Sequence, residues 1–226
     1  MSAPEGEVRP VAVWDWPVRI THWAIAVLFA LQWWTGETGK MDWHVRFGVM
    51  ALGLVVFRLL WGLFGSSTAR FAGFVRGPRA VWGYAGKLLR GAEGPAMLGH
   101  NPLGAVSIVA MLGLLAAQVV LGLVSVDVDG INSGPWASKV SFEQGRWAAN
   151  AHELVFKLLL ALTAVHLAAV VFYLAVRREN LVGPMLSGRR RAPLGTSAMT
   201  MAAWWKAAAC VAAAFVVMWV AWSPPG

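Results

Sequence analysis

Residues 151–166 read AHELVFKLLLALTAVH, an almost uninterrupted apolar run with a histidine near each end. His152 and His166 stand fourteen positions apart. In an α-helix, that separation brings two side chains to within roughly 40° of one face and places them about 21 Å apart along the axis. A histidine inside an apolar segment is costly unless it is bonded, so both are candidate functional residues. The stretch predicts one helix that offers two binding positions at different depths.

The rest of the chain is also strongly apolar. Of its 226 residues 58% are hydrophobic and 13% are charged, and the mean hydropathy is +0.59. Five apolar runs approach or exceed the length of about 20 residues that spans a bilayer. They are Ile20–Thr35, His44–Phe64, Pro102–Val124, Ala148–Val176 and Ala202–Trp222. Because lipid admits only helices or closed barrels and no strand-like alternation is seen, we expect an all-α membrane protein.

Lysine and arginine residues are concentrated in two of the connections between these runs. One connection carries Arg70, Arg76, Arg79, Lys87 and Arg90, and another carries Arg177, Arg178, Arg189, Arg190 and Arg191. The two alternate connections are poorer, with Lys40 in one and Lys139 and Arg146 in the other. The positive-inside rule therefore places the N-terminus in the cytoplasm and the C-terminus in the periplasm. The net charge of +8 is accordingly read as a topology signal and not as a nucleic-acid surface.

This topology groups four of the five histidines by depth. His44 begins the second run at the outer side, level with His152, and His22 lies near the inner start of the first run, on the side of His166. Zinc would require four ligands, and neither depth offers a cysteine or a further histidine. Two imidazoles suit the axial positions of a haem iron held between helices. No C-x-x-C-H motif occurs, so the pattern predicts two non-covalent b haems that transfer electrons.

Two arginines are candidate partners of the haem propionates. Arg58 follows His44 by fourteen residues and therefore shares its face at the depth of the inner haem. Arg19 lies one turn before His22 and is the second candidate. A charged side chain at such a depth needs a partner, and a carboxylate is suitable. The plain alternative for Arg58 is a side chain that extends to the cytoplasmic surface.

Two glycines could make room for the outer haem. Gly36 follows His22 by fourteen residues, and Gly48 lies one turn after His44. The alternative is that both only allow close helix packing. His100, in a loop that leads into a helix, is not expected to be a ligand.

Several stretches together resemble the bacterial cytochrome b-561 family, which includes the cytochrome b subunits of nickel–iron hydrogenases. The matching stretches are VWDWPVRITHW (13–23), FRLLWG (57–62), LGHNPLGA (98–105), AHE…H (151–166) and RRENLVGPMLSGRR (177–190). The resemblance extends from about Val13 to Arg191. It implies a four-helix bundle with two b haems, with His44 and His152 at the outer haem and His22 and His166 at the inner one.

The resemblance also implies a function in the bacterial inner membrane. Relatives carry electrons between the quinone pool and a periplasmic partner, which is a cytochrome c, a hydrogenase or superoxide. We expect a di-haem domain over residues 1–191 and a further transmembrane helix with a tail over 192–226, which departs from the four-helix pattern. Homo- and hetero-oligomers both remain open. Two alternatives are a stand-alone superoxide:quinone oxidoreductase and a haem-free scaffold or transporter.

Overall fold

A computed structural model describes residues 8–90 and 99–223 of the chain. In chain order the elements are β1 (Val8–Ala12), α1 (Trp16–Glu37), α2 (Met41–Phe64), α3 (Phe71–Phe74), α4 (Pro78–Leu89), α5 (Pro102–Val124), a 3-10 turn (Ala137–Lys139), α6 (Phe142–Ala175), α7 (Val182–Ser187), β2 (Arg189–Pro193) and α8 (Trp204–Trp222). A helix occupies each of the five predicted apolar runs. Residues 1–7, the start of the 98–105 motif and the 224–226 tail lie outside the described residues.

Four helices in the described part of the chain are long and apolar enough to cross a membrane: α2, α5, α6 and α8. The chain is therefore a multi-pass membrane protein. The first helix, α1, is not among the four. It carries Arg19, His22 and Gln32, which lower its mean hydropathy.

The first residues of α1 and α6 are determined by local capping and differ from those that hydropathy predicts. Asp15 accepts a hydrogen bond from the amide of Val18 and caps α1, which therefore begins at Trp16, four residues before the predicted run. Ser141 and Gln144 form a reciprocal capping box that begins α6 at Phe142 and not at the predicted Ala148. Such polar residues satisfy backbone N–H groups that a helix start leaves unpaired. Both helices therefore extend beyond their apolar runs.

The helices pack around α2, which contacts α1, α5 and α8. Met218 of α8 lies against Gly53 of α2, where the missing side chain allows close approach. In contrast, α6 packs closely on α5, and its backbone approaches α1 and α2 at few points or none. Side chains bridge part of that separation, since the ring of Phe156 lies 6.0 Å from that of Phe29 and 6.3 Å from that of Trp33. The fold thus leaves side-chain space between α6 and the α1–α2 pair.

A small sheet was not predicted from the sequence. Strands β1 and β2 pair antiparallel, with Val8 opposite Pro193 and Ala12 opposite Arg189. Gly188, at φ +77°, ends α7 and accepts hydrogen bonds from the amides of Val13 and Trp14. The sheet joins the segment before α1 to the segment before α8. The expected domain boundary after residue 191 lies within β2, and the division into two domains stays a prediction.

The basic connection between α2 and α5 contains short helices. The structure has a helix there, α4, and a one-turn helix, α3, before it. Trp82 of α4 is 77% exposed, as suits an aromatic side chain at a membrane interface.

Candidate cofactor site

The rings of His44 and His152 face each other between α2 and α6. Their centroids are 6.2 Å apart, and their planes cross at 71°. A metal–imidazole bond is about 2 Å long, so two imidazoles on one metal have centroids roughly 6 Å apart. The predicted outer pair is therefore assembled at a spacing that suits a shared metal.

The hydrogen bonds of His152 define its tautomer. Its Nδ1 lies 2.9 Å from the backbone carbonyl oxygen of Gln118 on α5. A carbonyl only accepts hydrogen bonds, so Nδ1 carries the proton and Nε2 carries the lone pair. The side-chain amide of Gln118 donates to that Nε2 at 3.0 Å, and a metal there would replace this hydrogen bond. A carbonyl on the far nitrogen is the arrangement that orients metal-binding histidines.

His44, the other member of the pair, also has its Nδ1 beside a backbone carbonyl oxygen. Its Nδ1 lies 3.1 Å from the carbonyl oxygen of Gln32 on α1 and 3.3 Å from the hydroxyl of Thr35. That hydroxyl donates to the carbonyl of Leu31 at 2.7 Å, so its lone pair can accept from Nδ1. Nε2 of His44 is again the nitrogen with the lone pair. Sequence reasoning missed Gln32, Thr35 and Gln118 because it searched for ligands and not for their partners.

Glycines lie against both outer rings. A Cβ at Gly36 would lie 3.4 Å from Cε1 of His44, and a Cβ at Gly122 would lie 3.0 Å from Cε1 of His152. Gly36 was predicted to admit a haem, and in the structure it lies directly beside the ring of His44. Gly48, also predicted, faces the side-chain nitrogen of Gln32 at 3.1 Å from the Cβ position.

The inner pair lies at the opposite end of α6. His166 is close enough to His22 for their charges to interact. The ring of His22 meets that of Trp23 edge-on at 5.0 Å. Nδ1 of His22 is buried and has no hydrogen-bond partner among the described residues. A buried nitrogen of this kind normally requires a partner, and a ligand would provide one.

His100 also belongs to this end of the molecule. Its ring lies 4.5 Å from Trp14 and 5.1 Å from Phe74, and His22 and His166 are within electrostatic reach. Burial, followed by the nearby cations, lowers the pKa of His100 to about 3. The neutral ring is therefore a polar group at the inner site. The sequence placed it in a loop and gave no signal of this proximity.

Arg58 is buried at the same end, with 7% of its surface exposed. It therefore does not extend to water. Its guanidinium lies 5.2 Å from the ring of Phe71, and the carboxylate of Asp15 is the nearby opposite charge. Nη1 has no hydrogen-bond partner within residues 8–90 and 99–223. A buried cation with a free donor suits an acidic group of a cofactor.

Arg19, the second candidate for a propionate, is engaged elsewhere. Its Nε donates to the carbonyl of Met185 at 3.3 Å, and its guanidinium lies 4.3 Å from the ring of Trp16. Arg58 lies within electrostatic reach of His100, whereas the guanidinium of Arg19 packs on Trp16. A role of Arg19 at a propionate stays a prediction.

The donor set fits haem better than a metal ion held by protein alone. In the described ranges no three His, Cys, Asp or Glu side chains come together as a metal cluster. Two facing imidazoles are sufficient only where a cofactor supplies the remaining ligands, as the haem macrocycle does. The separation of α6 from α1 and α2, the Nε2 lone pairs of His44 and His152 and the buried cation all agree with that group.

Comparison with known proteins adds an independent observation. The family described as prokaryotic cytochrome b561 matches residues 13–188, which is most of the chain. No match was found among curated proteins or among solved structures. The family implies b-type haem and electron transfer across a membrane, in agreement with paired imidazoles in a helical bundle. The chain belongs to the prokaryotic cytochrome b561 family.

Proposed function

We propose that the protein is a di-haem cytochrome of the bacterial inner membrane. It carries electrons between the quinone pool and a periplasmic redox partner, either a cytochrome c or a hydrogenase-like protein. The observation that carries this proposal is the facing pair His44 and His152. Their rings are 6.2 Å apart, and each binds a backbone carbonyl through Nδ1.

The two haems would be held at two depths of the membrane. His44 and His152 would bind the outer haem, and His22 and His166 the inner one. Haem b supplies a carrier of one electron when it is bound. The chain would orient the imidazoles of these four histidines and would offer the Arg58 guanidinium to a propionate. The fourteen residues between the two histidines of α6 correspond to about 21 Å, which extends across most of a bilayer core.

Five transmembrane helices complete the proposed arrangement. In this topology α1 crosses the membrane together with α2, α5, α6 and α8, with the N-terminus in the cytoplasm and the C-terminus in the periplasm. The extra helix α8 packs on α2, on which α1 and α5 also pack. The uneven distribution of lysine and arginine between the connections supports this orientation.

The quinone is proposed to react near the inner haem. The hydroxyls of Tyr84 and Tyr173 are 3.2 Å apart, and the side chain of Asn101 donates to Tyr173 at 3.0 Å. This polar group joins α4, α5 and α6 beside His100, and it offers hydrogen bonds suited to quinone oxygens. If a His166→Ala protein reduced quinone at the normal rate, this placement would be wrong.

The first experiment is a reduced-minus-oxidised spectrum of the purified protein with a pyridine haemochrome assay. About two b haems per chain are expected, and His152→Ala and His166→Ala should each retain about one. Lys157→Ala is the matched control, since this exposed residue on the same helix pairs with Glu153 one turn away. A folded protein that is made with haem supplied and contains none would contradict the proposal and favour a scaffold or transporter.

The same sample addresses the superoxide alternative. A superoxide oxidase would need a concentration of positive charge at its outer face. Here Lys40 lies over Trp34, Arg46 lies over Trp43, and Arg146 donates to the carbonyl of residue 126. Each of these three cations is engaged with a different partner, an arrangement that does not favour a common funnel. Turnover of superoxide by the purified protein without a partner would nevertheless establish that activity.

A further inference from the structure

The same five-residue pattern occurs on both helices that flank the outer histidines. Residues 32–36 of α1 read QWWTG, and residues 118–122 of α5 read QVVLG. Each is a glutamine followed four positions later by a glycine. Each of the two turns contacts one outer histidine from a neighbouring helix. We call them the α1 turn and the α5 turn.

The geometry of the two turns is equivalent. In the α1 turn the carbonyl of Gln32 accepts from His44, and Gly36 lies against the same ring. In the α5 turn the carbonyl of Gln118 accepts from His152, and Gly122 lies against that ring.

The spacing has a physical cause. In an α-helix the side chain of a residue leans toward the N-terminus and covers the turn before it. A side chain four positions after the glutamine would therefore lie over the glutamine carbonyl. Glycine leaves that carbonyl open, so its second lone pair can accept a hydrogen bond from an imidazole on the neighbouring helix. The glycine also allows the ring to approach the helix backbone.

We infer that these two Gln-x-x-x-Gly turns fix the crossed orientation of the two outer imidazoles, which makes Gln32, Gly36, Gln118 and Gly122 positioning residues for the outer haem. The inference rests on the proposed function, since it assumes that His44 and His152 are axial ligands. Each turn contacts one ring at the same two points, the Nδ1 hydrogen bond and the glycine, and the hydroxyl of Thr35 adds a third contact in the α1 turn. Together they hold the planes at 71°.

The orientation has a spectroscopic consequence. In low-spin ferric haem, parallel axial imidazoles separate the iron d orbitals and produce a rhombic electron paramagnetic resonance signal. Crossed imidazoles leave two of these orbitals nearly equal in energy and produce a highly anisotropic signal with a large maximal g value. The outer haem is therefore expected to give the anisotropic type, and this signal should disappear in His152→Ala.

The experiment compares Gly36→Ser with Gly36→Ala in the oxidised, purified protein. The Cβ of alanine meets His44 at 3.4 Å, an ordinary contact. Serine adds a hydroxyl, and serine in a helix donates to the carbonyl four residues earlier, here that of Gln32. It therefore competes with His44 for the same acceptor. Gly113→Ala, where a Cβ meets nothing within 4 Å, controls for a changed glycine in a spanning helix.

The serine variant should shift the outer signal or lose the outer haem, while the inner signal stays unchanged and reports that the bundle is folded. The Gly113→Ala variant should keep both signals, and the Gly36→Ala variant should shift the outer signal less than the serine variant does. Gly122→Ala, whose Cβ would lie only 3.0 Å from His152, should also move the outer signal.

A rhombic outer signal in the unmodified protein, or identical spectra for Gly36→Ser and Gly36→Ala, would overturn the inference. The proposed function fails separately, if the protein binds no haem or keeps both haems in His152→Ala.

Discussion

Asp15 accepts a hydrogen bond from the indole nitrogen of Trp61 at 2.9 Å, in the buried junction between the start of α1 and the end of α2. The second carboxylate oxygen caps α1 through the amide of Val18 at 2.9 Å. Only 3% of Asp15 is exposed. One carboxylate thus positions α1, and with it His22, relative to α2. It also provides the nearby opposite charge for Arg58.

Replacing Asp15 is expected to destabilise the protein strongly. Asp15→Ala removes a helix cap, which costs about 1 kcal/mol, and leaves the buried indole N–H of Trp61 without an acceptor, which costs roughly 2 kcal/mol more. The midpoint of thermal unfolding in detergent should therefore fall clearly. Asp129→Ala, at an exposed position in the loop before α6, is the control and should change the midpoint little. Equal midpoints for the two variants would show that the buried contacts contribute nothing.

Arg58 is expected to raise the midpoint potential of the inner haem. A buried positive charge stabilises the reduced, less positive form of a nearby haem. Arg58→Leu should therefore lower the inner potential, and a fall of about 60 mV would correspond to about 1.4 kcal/mol for one electron. Arg58→Lys keeps the charge and should lower it less. A redox titration of the purified protein gives both potentials.

Arg46→Leu is the matched control for that titration, because Arg46 lies on the same helix but stacks on Trp43 at the opposite end. The midpoint potential of the inner haem in Arg46→Leu should equal that of the unmodified protein. If Arg58→Leu lowered only the outer potential, Arg58 would not lie at the inner haem.

The sequence predicted the helices and the proximity of His44 and His152, because both depend on regular spacing. A fourteen-residue step on one helix sets a shared face, and charge in the loops sets the relative depth. His44 and His152 consequently meet as predicted. The helix starts were less accurate, since Asp15 and Ser141 act through local capping and not through hydropathy.

Other parts of the site could not be predicted, for three physical reasons. The partners of the outer histidines are backbone carbonyls, which every residue possesses, so only the repeated glutamine–glycine spacing could have indicated them. The position of His100 depends on how a loop folds against Trp14 and Phe74. The β1–β2 sheet pairs segments that are far apart in sequence and rich in arginine, a composition that does not favour strands.

His100 is expected to make the protein less stable in acid. Its pKa is lowered to about 3, chiefly by burial, whereas an unfolded histidine has a pKa near 6.5. Between these values the unfolded chain binds the proton and the folded protein does not, so stability is lost as the pH falls below about 6.5. His100→Phe keeps an aromatic ring between Trp14 and Phe74 but cannot bind a proton. Its unfolding midpoint should therefore fall less between pH 7 and pH 4.5 than that of the unmodified protein. Parallel pH profiles would mean that another group causes the acid sensitivity.

The number of membrane crossings can be tested at the C-terminus. With the N-terminus in the cytoplasm, five crossings place the end of α8 in the periplasm, whereas four place it in the cytoplasm. Alkaline phosphatase is active only in the periplasm and green fluorescent protein folds well only in the cytoplasm. Fusions after residue 223 should therefore show phosphatase activity and little fluorescence. Fusions after residue 90, in the arginine-rich connection before α5, should show the opposite pattern and confirm the orientation. A fluorescent C-terminal fusion, with residue 90 still in the cytoplasm, would mean that an even number of helices crosses the membrane after residue 90, so that one of α5, α6 and α8 does not span it. Because α8 is the least apolar of these three helices, that result would contradict the proposed fifth crossing at α8.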